Sequence, residues 1–403
     1  VETLTLEDCL RIGIDNNLSL ESKRREIQKS KYGVSENRAR LLPQISAVAG
    51  YSNNFDPPVS VTDGSSYGVP YNITQTLQHS ANAGLEMQMP LFNQTLYTSM
   101  SIAKVVEEIS RLSYGKARED IILQISKMYY LGQVTAEQIV LIKANITRLE
   151  ELRDITRAFF DNGMSMEVDL KRVNINLENL KVQYDNAQAM MKQQLNMLKY
   201  IMDYPAEKEI ALTPVNTDSI TTVALTGLSE NLYELQLTQS QLELAERQKR
   251  MITNGYIPSL SLTGNWRYAA YTDKGYHWFH SGPSNHWFRS YGLGLTLRIP
   301  IFDGLDKTYK IRKAMIDIEN RKLAWEDTRK NLQTQYLNAV NDLMNNQRNF
   351  KKQKDNYLLA EDVYAVTSDR YREGIASMTE VLQDEMQMSE AQNNYINAHY
   401  NYR

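Results

Sequence analysis

Three short stretches of the chain alternate apolar and polar residues. In 81–91, Ala81, Ala83, Leu85, Met87, Met89 and Leu91 face one way, and Asn82, Gly84, Glu86 and Gln88 the other. In 291–301, Tyr291, Leu293, Leu295, Leu297, Ile299 and Ile301 oppose Gly292, Gly294, Thr296 and Arg298. In 258–268, Leu260, Leu262, Gly264, Trp266 and Tyr268 oppose Ser259, Ser261, Thr263, Asn265 and Arg267. Period two gives a strand one apolar and one polar face. With a fourth stretch that matches 257–271, strands are predicted over about 43–54, 80–92, 257–271 and 289–302, each near the length of a membrane-spanning strand. Elsewhere the period changes. Val173, Leu177, Leu180, Tyr184, Ala187, Met191, Gln194 and Leu198 step by three and four, as do Val381, Asp384, Met388, Ala391, Tyr395, Ala398 and Tyr402. That spacing is a coiled-coil seam. Long helices are predicted over about 95–162, 164–200, 305–373 and 375–403. The first and third would each be roughly 100 Å long. One narrow stripe cannot build a globular core for such helices, so they must pack side by side in an extended array.

The pattern occurs twice. "GLEMQMPLFN" (84–93) and "GLTLRIPIFD" (294–303) match position by position, 210 residues apart. Pro43 pairs with Pro258, Gly163 with Gly374 and Tyr184 with Tyr395. A duplicated phrase of this length marks a duplicated unit. The chain therefore reads as two tandem repeats of helix, strand, strand, helix and helix. The first repeat covers 1–205, a linker 206–228 and the second repeat 229–403. Pro90 and Pro300 are expected to end the strand ladders, since proline donates no ladder hydrogen bond. Arg403 aligns with Lys192, whereas the first copy stays helical to about Ile201, so a further turn or two of the last helix is expected.

Composition narrows the function. The 403 residues carry a net charge of −3, so nothing points to nucleic acid or anionic surfaces. The single cysteine, Cys9, rules out a disulfide framework within the chain. It lies in "LTLEDCLRIGIDNN", where Thr5 and Asp8 have capping-box spacing, and reads as a buried helix cysteine. No apolar run approaches the ~18 residues of a membrane helix.

Four strands cannot close a barrel, and an open sheet edge in lipid leaves unpaired backbone groups. If these strands span a membrane, several chains share one barrel. Three chains give twelve strands, within the range of outer-membrane barrels. Glu86, Arg267 and Arg298, on the polar faces, would then line a wet lumen. Tyr51, Trp266, Tyr268 and Tyr291 would form an aromatic girdle at one membrane interface, and Phe92 and Phe302 at the other. The competing reading is a soluble coiled-coil scaffold or interaction protein with a small β cap.

Several of these stretches, in order and mostly duplicated, resemble the TolC-type outer membrane efflux protein family. They are "LTLEDCLRIGIDNN", "RARLLPQISAVAGYS" with "KRMITNGYIPSLSLTG", "MPLFN" with "IPIFDG", and "RYREGIASMTEVLQDEMQMSEAQNNYINAHYNY". The resemblance covers essentially the whole chain. It implies a mainly α protein with a transmembrane β part, in which a homotrimer forms a twelve-stranded β-barrel. That barrel would sit in the outer membrane lipid of a Gram-negative bacterium and continue as a long α-helical barrel into the periplasm. It further implies a passive exit duct for efflux or type I secretion, with a periplasmic adaptor and an inner-membrane pump as partners. No enzymatic activity, cofactor, metal or nucleic acid is implied.

The resemblance puts both glycine turns at the periplasmic tip. Asn162, Gly163, Met164 and Ser165, with Glu373, Gly374, Ile375 and Ala376, would dock the adaptor. Asp169 and Glu380, each six residues after its glycine, would form an acidic aperture with Asp384, and Tyr371 would belong to the closing network. Where some members carry a basic partner, this chain has Ala376, which leaves Arg172 and Arg372 as available cations. His277, His280 and His286 cluster in "YHWFHSGPSNHWF" without matching carboxylates or cysteines, and read as part of a surface loop.

Overall fold

Each repeat leads from a helix into a strand, back along a second strand, and out through two long helices. The computed structural model describes residues 2–75, 77–214, 227, 229, 231–272 and 287–403. In chain order its elements are β1 (Glu2–Leu4), α1 (Leu6–Asn16), α2 (Leu18–Ala39), β2 (Gln44–Asn53), β3 (Val59–Asp63), β4 (Tyr71–Gln75) and β5 (His79–Phe92). There follow α3 (Gln94–Asp161), α4 (Glu167–Met202), β6 (Ile210–Leu212), α5 (Tyr233–Asn254), β7 (Ser259–Thr272), β8 (Trp287–Arg298), α6 (Asp306–Arg372) and α7 (Met378–Tyr402).

The chain forms two compact units, each drawing on both repeats. One comprises 1–26, 111–236 and 326–403, the other 27–110 and 237–325.

In the first unit, α1 opens on the capping box read from the sequence. The Asp8 amide donates to the Thr5 hydroxyl and the Thr5 amide to the Asp8 carboxylate. Cys9 is fully buried, and burial pushes its thiol up to about 11. It packs with Leu4, Ile125, Tyr129, Leu198 and Met202. β1 and β6 pair in parallel through Glu2–Ile210, Thr3–Ala211 and Leu4–Leu212. Gln133 of α3 ties this pair down by donating to the Thr213 carbonyl at 2.6 Å.

A larger core joins α3, α4, α6 and α7, with Val173, Leu177 and Leu180 facing Tyr357, Tyr364, Met388 and Tyr395. The α4 stripe holds: Val173, Leu177, Leu180, Ala187, Gln194 and Leu198 are buried. α7 differs from the single stripe expected. A second seam is buried beside the first, running Met378, Leu382, Glu385, Gln392, Ile396 and His399. The reason is that α7 packs against three helices, so two of its faces are covered.

In the second unit a four-stranded antiparallel sheet has the order β2-β5-β7-β8. Residues directly opposite share a face. Ile45, Met87, Gly264 and Leu293 form one row across all four strands, and Ala47, Leu85, Trp266 and Tyr291 the next. The three ladders, two within repeats and one between them, therefore keep one apolar face. β3 and β4 form a separate hairpin within the β2–β5 connection. The hairpin ladder of each repeat ends two residues before its proline, β2–β5 at Gln88 and β7–β8 at Arg298, but the ladder between the repeats runs past Pro90. β5 runs through Pro90, which sits opposite Ser261, and shifts register before Phe92. β8 stops at Arg298, two residues short of Pro300. A bulge tolerates the missing donor at Pro90, so the strand continues past it. Among the described residues no helix is long and apolar enough to cross a membrane.

Candidate functional site

The sheet brings the candidate wall residues together on two faces. Glu86, Arg267 and Arg298 fall on the polar face, where Arg267 donates to the Glu86 carboxylate at 2.9 Å. Arg298 lies opposite Ser259, at the far end of β7 from Thr272. Gly84 lies on that polar face. A side chain there would meet the Trp266 carbonyl oxygen at 2.3 Å, so the close approach of β5 and β7 requires glycine.

The aromatics fall on the other face. Trp266 and Tyr291 are directly opposed, and Tyr268 pairs with Arg289 one row on. Tyr51 is opposite Ala81, whose other neighbour Ala270 faces Trp287. The four named aromatics thus share a face but spread over three rows. Phe92 closes β5, and Phe302 lies beyond the end of β8 and is exposed. The edges of the sheet are β2 and β8, and every residue of β8 is exposed.

The two helical turns belong to the other unit. Gly163 and Gly374 both have φ of +74°. In the first, the Gly163 amide donates to the Phe160 carbonyl and Met164 to Phe159. In the second, Gly374 donates to Tyr371 and Ile375 to Arg370. Both are the same left-handed helix ending, in which the backbone supplies the cap and glycine removes the steric cost. Asn162, Met164, Glu373 and Ile375 are exposed, and Ser165 and Ala376 half-buried. Met164 and Ile375 show 67% and 63% of their surface, which leaves an apolar side chain open to a partner in each turn.

The acidic candidates are placed unequally. Asp169, in the first turn of α4, is half-buried and pairs with Arg172 at 3.4 Å. Glu380 is the third residue of α7 and completes a capping box with Ser377. The Ser377 amide and hydroxyl both donate to its carboxylate and hold its pKa below the ordinary glutamate value. Asp384 is half-buried. Tyr371 is buried against the Phe159 ring at 5.5 Å, its hydroxyl 3.4 Å from Thr156, and burial raises its pKa. Arg372 reaches Asp369 and Glu151, each at 3.4 Å.

Sequence reasoning missed Glu385, which is buried and accepts no hydrogen bond among the described residues. Burial raises its pKa, against the pull of Arg148. It also missed half-buried Glu137 of α3, which His399 and Tyr395 of α7 bond at 2.8 and 2.7 Å. Burial opposes ionisation of Glu137, but these bonds and the charges of His399 and Arg403 outweigh it and lower its pKa. Glu385, Glu137 and His399 lie off the stripes read from the sequence, the signal that finds seams, whereas Tyr395 lies on one. Among the described residues no cluster of histidine, cysteine and carboxylates is placed to hold a metal ion. His277, His280 and His286 lie outside the described residues.

Comparison with known proteins gives the same architecture. The family model described as outer membrane efflux protein matches residues 12–202 and 224–403. The chain is 20% identical to the outer membrane protein TolC of Vibrio cholerae over 385 residues, covering 92% of this chain and 81% of that protein. It is 23% identical over 409 residues to a probable efflux pump outer membrane protein, TtgC of Pseudomonas putida, covering 96% and 78%. The solved structure of CusC superimposes with a TM-score of 0.79 at 16% identity, covering 98% of this chain and 89% of CusC. The chain therefore belongs to the outer membrane efflux protein family, and its place is the outer membrane of a Gram-negative bacterium.

Proposed function

We propose that three copies of this chain form an exit duct, with the four-stranded sheets closing into one twelve-stranded barrel and the helices continuing it into the periplasm. The observation that carries this reading is the sheet itself. It has one apolar face, one polar face and two open edges, β2 and β8. An apolar face lies against lipid only if no backbone edge is left unpaired there. Pairing β8 of one copy with β2 of the next removes both edges and leaves Glu86, Arg267 and Arg298 facing the lumen. The hairpin ends of β2–β5 and of β7–β8 then face outward, and the four links to helices face the periplasm.

The duct opens at the end where α3 turns into α4 and α6 into α7. Exposed Met164 and Ile375, with their neighbours Asn162, Gly163, Ser165, Glu373, Gly374 and Ala376, fit docking of a periplasmic adaptor that links the duct to an inner-membrane pump. Asp169, Glu380 and Asp384 from three chains would gather near one axis, where like charges attract cations. Tyr371 acts from inside the bundle and steadies the end of α6. The cargo is either a small molecule in efflux or a protein in type I secretion.

The test is the mass and fractionation of the full-length exported protein. A heat-sensitive trimer that needs detergent and comes from the outer membrane is expected. A monomer or dimer in the soluble fraction, indifferent to detergent, would leave the coiled-coil scaffold as the better reading. In planar bilayers, Asp169→Asn is expected to lower the single-channel conductance to cations, because it removes charge that attracts them, and unchanged conductance would remove Asp169 from the aperture.

A further inference from the structure

The apolar face of the sheet carries one formal charge among its described residues, Arg289 on β8. On the opposite face Arg267 has Glu86 as its partner. Arg289 has no carboxylate partner among the described residues. Its guanidinium lies 5.8 Å from the centre of the Tyr291 ring, and Tyr268 stands directly across from it. The position is close to the hairpin end, one same-face row from the last ladder pair, Ala270–Trp287.

A second feature lies further down the same face. In the row Ile45–Met87–Gly264–Leu293 the third residue has no side chain. A Cβ at Gly264 would meet Leu293 and Met87 at 3.2 Å. A cleft of about 520 Å³ opens there, bounded by Trp266 and Tyr291. Four residues of extended strand separate Arg289 from Leu293, about 13 Å. Leu293, Leu295 and Leu297 continue as an exposed apolar row down the edge strand.

We infer that Arg289 and the Gly264 notch bind a phosphate-bearing, multiply acylated glycolipid of the outward leaflet. The inference rests on the shared-barrel reading, which puts this face in lipid and the hairpin ends outward. A guanidinium among aromatics at the edge of an apolar band holds phosphate through two parallel hydrogen bonds. The 13 Å spacing then suits a molecule with its headgroup at Arg289 and one chain in the notch. The leucine row beside the notch gives room for further chains, which favours a glycolipid with several chains over a two-chain phospholipid.

The test uses the full-length exported protein, purified as a detergent-solubilised trimer and incubated with lipid A, dephosphorylated lipid A or phosphatidylglycerol. Native mass spectrometry counts the lipid retained. Lipid A is expected to bind up to once per chain. Arg289→Gln or removal of the phosphates is expected to weaken it at least about tenfold, the scale of a lost charge-assisted hydrogen bond. Gly264→Val is expected to weaken it while the trimer persists, and Arg298→Gln, which removes the same charge from the other face, to leave it unchanged. Equal retention by Arg289→Gln, or equal binding of phosphatidylglycerol, overturns the proposal. If Arg289→Gln does not assemble, the wild-type contrast between lipid A and its dephosphorylated form decides. Failure of the wild type to form a detergent-requiring trimer, read on a gel before lipid is added, sinks the barrel reading and this inference together.

Discussion

The turn at Gly163 and the turn at Gly374 have the same backbone and different beginnings to their second helices. Both glycines sit at φ +74° and both turns are closed by the same pair of amide-to-carbonyl bonds. Three residues on, the copies part. Ser377 caps α7, and Glu380 completes the box by accepting from its amide. At the matching position α4 begins at Met166, which has no side-chain cap, and Asp169 is left to Arg172 at 3.4 Å. Duplication has kept the geometry that only glycine supplies. It has let the carboxylates diverge, one holding a helix end and the other weakly partnered. Of the two aligned acids, Asp169 is the better candidate for an aperture, because no helix cap uses its carboxylate.

The most severe test of this comparison is to remove what the turns share. A β-branched residue in a left-handed conformation is costly, so Gly163→Val and Gly374→Val should each destabilise the helical part by roughly 2 kcal/mol. Thermal unfolding followed by circular dichroism at 222 nm would show it. The two losses should be equal, and a cost at one turn alone would mean that the turns are not equivalent. Next comes what they do not share. Ser377→Ala should cost about 1 kcal/mol, the usual value of an N-cap, whereas Met166→Ala should cost almost nothing. Comparable losses would show that Met166 holds the start of α4 by packing.

The turn glycines, the α4 seam and the strand alternation were legible because each rests on a local rule: positive φ, period 3.5 and period two. What required the structure was anything settled by partners distant in sequence. α7 has a second buried seam because α3 and α6 cover it. Glu385, Gln392 and His399 are polar there, with Gln392 bonded to Asn145 and His399 to Glu137, both on α3. A search for apolar stripes reads such residues as solvent-facing, so it chose Asp384 where Glu385 is the one buried. Pro90 misled for a similar reason. A proline ends a ladder only where its partner strand needs the missing donor, and the register shift beside Phe92 removes that need. Arg289 was within reach, since it shares the parity of Tyr291 and Leu293 in β8, but nothing local marked its lack of a partner.

Converting the first turn into the second sharpens the comparison further. Met166→Ser places a hydroxyl where Ser377 stands, with Asp169 at the third helical position to accept in return. A gain of roughly 0.5 kcal/mol is expected, at the low end for a new cap on an exposed helix. Channel recordings would add a second readout. If Asp169 acts at the aperture, drawing it into a cap should change conductance in the same direction as Asp169→Asn. A stabilised protein with unaltered conductance would separate the two roles and leave Asp169 with neither.

The smallest effect concerns charge at the second turn. Hydrogen bonds from Ser377 hold the Glu380 pKa below its ordinary value. A carboxylate depressed in the folded state stabilises above its unfolded pKa, and that contribution is lost as pH falls through the folded value. Glu380→Gln keeps an acceptor at the third helical position and so keeps most of the box. Its loss at neutral pH should therefore be smaller than that of Ser377→Ala, and should vanish in acid, where the wild-type carboxyl is also neutral. Asp169→Asn provides the contrast at neutral pH, since no cap depends on that carboxylate and its cost there should be smaller still. Unfolding curves of Glu380→Gln and the wild type from neutral pH down into the carboxylate range would read the first effect, and unfolding of Asp169→Asn at neutral pH the second. Equal losses from the two variants at neutral pH would mean that both acids serve the fold alike, and the division of labour between the turns would fall.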